Sequence, residues 1–207
     1  MGRFHYLVVL AAALAVPATA SADVFKLYGE AQGGGLYGKG IGGDHKDDSA
    51  FQGGRGAYGV AFGAQFLIFD GNIRHNQYIN GDGLTTWTQF TAGFNFGFDT
   101  GSEEEKKQNK GGYVAMGIGV AFGVGTGAQV DPPLDASEVT DKGFLLEGKL
   151  NFGKHLNKVF DIGVQVPISY GYLFKSGNGA TANMTENQYQ TVQGQLMLIL
   201  RANIRFI

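Results

Sequence analysis

Seven polar residues stand at positions where they could act together: Lys26, Glu30, Glu147, Lys149, Asn151, Asp161 and Arg201. Each has apolar neighbours on both sides in sequence, so each falls on the polar face of an alternating stretch. Their chemistry is that of pairing. Cations and carboxylates drawn into one enclosed space neutralise one another, because an unpaired buried charge is costly.

Other chemistries find less support. His45 lies beside Asp44, Asp47 and Asp48, a cluster that could hold a divalent cation through oxygen ligands. A solvated loop explains the same residues. His75 and His155 have no spacing to a nucleophile and a carboxylate that would suggest a triad. The chain has no cysteine, which removes thiolate chemistry and any disulfide framework. Gly123-x-Gly125-x-Gly127 is followed by Pro132-Pro133 instead of a helix, so it is not a dinucleotide loop. No enzyme and no cofactor is expected. A formal net charge of −2 does not suggest a nucleic-acid partner.

The elements that must position these residues are strands. Along Gln188 to Ile207, every second residue back from Phe206 is apolar: Ile204, Ala202, Leu200, Leu198, Leu196. Arg205, Asn203 and Arg201 lie on the other face. Seven more segments alternate in this way: Val24 to Tyr37, Arg55 to Phe69, Asn72 to Ile79, Trp87 to Phe98, Tyr113 to Val124, Phe144 to Phe152, and Val159 to Phe174. On Arg55 to Phe69, Trp87 to Phe98 and Tyr113 to Val124 the second face is built largely of glycine and other small residues. Eight two-faced strands, apolar on one side, predict an all-β, eight-stranded antiparallel up-and-down barrel crossing a membrane, with lipid outside and a polar lumen inside.

The remaining features agree. Met1 to Ala22 has the form of a secretory signal peptide, with Arg3, a short apolar run from Tyr6 to Val16, and Ala20-Ser21-Ala22 as the cleavage site. The barrel domain would then be 23–207. No later run is apolar enough for a transmembrane helix, and mean hydropathy is −0.07. Even strand number puts both chain ends on one side. On that side lie Asp70-Gly71, expected as a two-residue hairpin, Asp99 to Gly112 with its charged run Glu103-Glu104-Glu105-Lys106-Lys107, and Gly153 to Lys158.

Hairpin arithmetic gives expected registers. Phe98 opposite Val114 places Phe96 on Met116. Phe69 opposite Asn72 places His75 and Gln77 on the lipid face, so that strand must be bulged or the wall must carry a polar seam. Phe152 opposite Phe160 places Asn151 on Asp161, with Lys149 on a diagonal to the same carboxylate. Glu30 is expected to meet Arg201 where first and last strands close. Aromatic belts are expected at Phe25, Phe98, Phe152, Phe160 and Phe206 on one rim and Tyr37, Tyr58, Tyr172 and Phe174 on the other.

With Leu200-x-Ala202-x-Ile204-x-Phe206 as its terminal strand, the chain resembles the superfamily of small bacterial outer-membrane barrels. That group includes the transmembrane domain of outer-membrane protein A, the X- and W-type proteins, and the opacity proteins. The resemblance implies a place in the Gram-negative outer membrane and contact with its lipid. It also implies that the barrel-assembly machinery reads the C-terminal strand. The expected role is structural or surface contact through the outer loops, as a monomer. The alternative is a narrow channel or carrier for small or apolar solutes; the resemblance also leaves room for a lipid-modifying enzyme, although no His-x-Ser stands at a lipid-facing strand end.

Overall fold

The computed structural model describes residues 24–43, 51, 53–79, 83–108, 110–128, 139–176 and 188–206. The signal-peptide reading of residues 1–22, the His45 cluster and Pro132-Pro133 lie outside the described residues. Eight strands form one closed antiparallel barrel, each pairing with its neighbours in sequence and the last with the first. They are β1 (Phe25–Gly42), β2 (Gly53–Phe66), β3 (Phe69–Ile79), β4 (Gly83–Thr100), β5 (Gly112–Ala128), β6 (Val139–His155), β7 (Phe160–Ser176) and β8 (Gln188–Phe206). Among the described residues one short helix, α1 (Glu103–Lys107), sits in the β4–β5 connection. We call the end that holds Phe25 and Phe206 the terminal end, and the opposite end the loop end.

Period-two alternation sets the two faces. Leu196, Leu198, Leu200, Phe144, Val120 and Ile118 point out and are exposed, whereas the intervening Glu147, Gln193, Met197 and Ile199 are buried. An outer wall of this kind is unfavourable in water and suited to lipid. The pairings also fix the stagger. From Arg201 one row runs through Glu30, Ala61, Arg74, Gln89, Gly123, Gly143 and Leu173, and returns to β8 at Tyr189, twelve residues from its start. Strand tilt follows from that stagger. It leaves an interior that side chains can fill.

The β4–β5 register pairs Phe98 with Val114 and Phe96 with Met116, as read from the sequence. Two other registers differ. The β2–β3 hairpin turns at Leu67 and Ile68, with Phe66 opposite Phe69, and not at Asp70-Gly71. Leu67 takes φ 53°, a left-handed conformation costing roughly 1–2 kcal/mol for such a residue. Its carbonyl accepts from the Gln65 side chain at 2.8 Å, and its N–H donates to Val24 O at 3.0 Å. The early turn releases Asp70 into the strand, where it faces the lumen and meets Tyr28 and Lys149.

In the β6–β7 hairpin Phe152 pairs with Val164, not Phe160, and Asn151 pairs with Gln165, not Asp161. Strand β6 runs on to His155, which pairs with Asp161. Asn157 Oδ1 closes the turn by accepting from the N–H groups of Val159 and Phe160 at 2.8 and 2.9 Å. An even shift keeps every side chain on its expected face, so the faces hold and the partners change.

Strand β3 has no bulge in either register, so the wall carries a polar seam. His75 Nδ1 and Thr88 Oγ1 are 2.8 Å apart, Tyr58 donates to Gln77, and Thr86 and Thr126 hydroxyls meet at 2.7 Å. Each outward polar group named here is thus matched sideways along the wall. At the terminal end Phe25 stacks near Phe206 with centroids 5.5 Å apart, and Phe69 near Phe94 at 5.2 Å. Tyr37, Tyr58 and Tyr172 are exposed on the outer wall toward the loop end.

Such a wall needs an apolar surround. The full chain should keep β-rich far-UV circular dichroism and a monodisperse profile in detergent micelles or lipid, and aggregate when detergent is removed. A monodisperse folded monomer in plain buffer would contradict the lipid-facing assignment.

Candidate functional site

The lumen is the site, and its filling changes along the axis. Its terminal half and middle are ionic. Arg74 on β3 makes a bidentate bond to Glu147 on β6, with both N···O distances 3.1 Å. This chord crosses the lumen between strands three places apart. Glu147 also accepts from Gln89 at 2.8 Å and Ser169 at 3.4 Å. A second chord joins Lys149 Nζ to Asp70 Oδ2 at 3.4 Å, with Tyr28 and Asn72 donating to the same carboxylate at 2.8 and 3.1 Å.

On the seam between first and last strands, Arg201 Nε donates to Glu30 Oε1 at 2.6 Å. The Arg201 guanidinium lies 5.2 Å from the Tyr28 ring centroid, and Lys26 Nζ lies 5.8 Å from it on the same ring. The expected residues therefore all line the lumen, but their partners divide. Glu30 and Arg201 come together. Lys149 reaches Asp70 instead of Asp161. Asn151 is fully buried beside Gln165 without a side-chain hydrogen bond. Asp161 belongs to the terminal floor.

That floor is a histidine held between carboxylates. His155 Nδ1 lies 2.6 Å from Asp161 Oδ1, and its Nε2 lies 3.2 Å from Asp99 Oδ1. A carboxylate only accepts, so both ring nitrogens must donate, and the imidazolium form satisfies both. Neither nitrogen keeps a lone pair for base catalysis. Tyr113 stacks on the imidazole at 5.1 Å, and Asn203 donates to Asp161 Oδ2 at 2.8 Å. Beyond the floor, α1 begins with a capping box in which Ser102 and Glu105 exchange bonds. Acceptance from the Ser102 N–H holds the Glu105 carboxyl below its ordinary value.

Toward the loop end an apolar cluster joins the lumen, beside buried polar groups such as Arg55, Asp141 and Thr191. Leu36, Phe51, Trp87, Ala121, Leu145, Leu173 and Tyr189 form one buried cluster, with Tyr78 packed against it. The two zones are linked through Trp87 Nε1, which donates to Gln89 Oε1 at 3.0 Å, and through Gln89 to Glu147. Glycines across the lumen make room for the long residues. A methyl group at Gly63 would collide with the Tyr28 ring, and one at Gly123 with the Trp87 indole. Alongside Asp70, Glu147 and Lys149, an inner gap against Gly93, Gly117 and Gly119 measures about 10 Å³, near the space of one water. A wider concavity of about 730 Å³ lies on the apolar outer wall over Ala64, Gly71 and Ala92.

Arg74, Asp70, His155 and Phe51 were not read as lumen residues in the sequence, where Asp70 was placed in a hairpin turn and His155 in the connection Gly153 to Lys158. For the first two the signal exists: Asp70, Asn72, Arg74 and Asn76 recur at every second position. Phe51 sits in a connection, where no periodicity marks it.

No family model matches the chain, and no curated protein matches it. Among solved structures, the crystal structure of Neisserial surface protein A (NspA) is similar with a TM-score of 0.42 at 10% sequence identity, covering 86% of this chain and 96% of that one.

Buried pairs of this kind couple strongly. Glu30→Gln and Arg201→Gln should each lower stability by about 3–5 kcal/mol, and the double variant by clearly less than their sum. Urea unfolding in detergent measures both. Additive losses would show that the two residues do not act as a pair.

Proposed function

We propose that the chain is a closed outer-membrane barrel that acts through the connections at its loop end and conducts no solute through its lumen. The observation that carries this reading is the pair of chords, Arg74–Glu147 and Lys149–Asp70. Both lie across the path a solute would take. Breaking either would leave buried charges unpaired, at about 3–5 kcal/mol for each pair broken. The buried cluster around Phe51 and Trp87 lies above them, toward the loop end.

In this reading residues 1–22 direct export and are removed. The terminal end faces the periplasm and the loop end faces outward. Outer-membrane lipid surrounds the apolar wall. The terminal strand, with Leu200, Ala202, Ile204 and Phe206 on its outer face, is what the assembly machinery recognises. The barrel works as a monomer without a cofactor, and its role is contact at the cell surface rather than catalysis. The charged α1 connection then hangs on the periplasmic side as a solvated turn.

The absence of cysteine makes the orientation easy to test. In intact cells Lys39→Cys should react with a membrane-impermeant maleimide, and Glu104→Cys only after the envelope is disrupted. In planar bilayers the unsubstituted protein should show no steady current. A stable open current would overturn the closed lumen, and labelling of Glu104→Cys in intact cells would overturn the orientation.

A further inference from the structure

We propose that the concavity on the outer wall over β2, β3 and β4 is a seat for one acyl chain of a membrane lipid. Hydrogen bonds from β3 hold the ester or amide linkage at the root of that chain. This site presupposes the lipid-facing wall proposed above and goes further: one place on the wall takes one lipid chain in a fixed ratio.

Three neighbouring strands repeat one order of residues along the wall, and the ladder keeps them level. Ala64, Gly71 and Ala92 are paired across β2, β3 and β4 and form a floor. Toward the loop end the next level is Phe62, Ile73 and Phe90, and toward the terminal end it is Phe66, Phe69 and Phe94. The floor is low ground between two raised rows, and the concavity over it measures about 730 Å³. A methyl group added at Gly71 would meet nothing within 4 Å, so open space stands directly over that residue. Phe62 and Phe90 are exposed, whereas Ile73 between them is half-buried and leaves a notch in its row. Across the floor the Phe69 and Phe94 rings pack together at 5.2 Å.

A hollow of this kind would by itself accept any hydrocarbon. Its loop-side lip sets the chemistry. There His75 and Gln77 follow Ile73 at alternate positions on the outer face of β3. His75 Nδ1 meets Thr88 Oγ1, and Gln77 Oε1 accepts from Tyr58. Among the described residues His75 Nε2 and the Gln77 amide nitrogen have no partner. A hydrogen-bonding group turned to hydrocarbon without a partner is costly. A linkage carbonyl accepts from the Gln77 amide, and a hydroxyl or amide beside it completes His75. A lipid carries these groups at the root of its acyl chain and only hydrocarbon beyond. With the root at His75 and Gln77, the chain passes over Ile73 between Phe62 and Phe90 and ends over Gly71. Four residues of strand separate His75 from Gly71, roughly 13 Å, which suits a chain of lauroyl length. A second copy would bring a convex wall to this hollow, whereas a flexible chain can follow it.

The full chain, folded in cholate, a detergent without an acyl chain, is titrated with lauroyl glycerol and read by native mass spectrometry. Expected is one saturable adduct per chain. Excess dodecane, which has no linkage group, should fail to displace it. Gly71→Trp fills the hollow and should abolish the adduct, with Gly71→Leu in its place if tryptophan prevents folding. Gly194 on β8 also has open space over it, so Gly194→Trp is the matched control and should bind as the unsubstituted protein does. His75→Leu combined with Gln77→Leu removes the lip's hydrogen bonds and should weaken binding roughly ten- to hundredfold. Adducts that never saturate, or that are equal in Gly71→Trp and Gly194→Trp, would overturn the site. Undiminished binding in the double leucine variant, or displacement by dodecane, would overturn recognition of the linkage. A dimer that disappears in Gly71→Trp would make the hollow an interface between copies and overturn lipid as its occupant. Folding in plain buffer contradicts the lipid-facing wall itself. A chain that requires detergent and takes up no lauroyl glycerol contradicts this site alone.

Discussion

The bidentate contact between Arg74 and Glu147 ties β3 to β6 through the middle of the barrel, and the interior is arranged around it. A closed wall whose outer face is apolar cannot relax a stray inner charge by turning it outward. The guanidinium and carboxylate must therefore be matched in place, and their neighbours must meet the remaining lone pairs. Gln89 and Ser169 do so for Glu147. Through Gln89 the same pair orients Trp87, at the level where the apolar cluster begins.

Long inward side chains require empty space opposite them, and the glycine-rich faces of β2 and β5 supply it. Tyr28 lies over Gly63, Trp87 over Gly123, and the Lys149 stem against Gly117. The abundance of glycine in this chain is thus a matter of interior volume more than of backbone freedom. Stagger decides which glycine meets which long residue, since the row through Glu30 also passes Arg74 and Gln89. A different stagger would bring the same residues to other heights and leave charges facing the wall.

Strands β4, β5, β7 and β8 were legible because their apolar and inward residues alternate without interruption over many positions. The inward direction of Lys26, Glu30, Glu147, Lys149, Asn151, Asp161 and Arg201 follows from that alternation alone. Partners were less legible. A hairpin slipped by an even number keeps all faces, so nothing in the pattern distinguishes Asn151 opposite Asp161 from Asn151 opposite Gln165. Strand β3 was weakly marked because both of its faces carry polar groups, the inner ones for the chords and the outer ones for the seam with Thr88 and Tyr58. Asp70-Gly71 read as a turn, yet Asp70 was needed as a counter-charge, and Leu67 accepts a left-handed backbone in its place. Phe51 had no signature at all, because a connection has no period from which a buried residue could be told apart.

The seam between β1 and β8 has a kinetic meaning. Glu30 and Arg201 are 171 residues apart in sequence, whereas the other strand pairs are hairpin neighbours that can form locally. Loop-closure entropy makes so distant a pairing late and slow relative to local contacts. Until it forms, the sheet is an open ribbon with two unpaired edges, the most aggregation-prone stage of such a chain. An ion pair placed on that seam gains most of its strength only when the wall shuts and excludes water, since that lowers the local dielectric. It therefore favours the finished cylinder over the nearly finished ribbon more than an apolar contact of equal size would. Once shut, the barrel reopens slowly, because separating the edges strands a buried carboxylate and a buried guanidinium at the same moment.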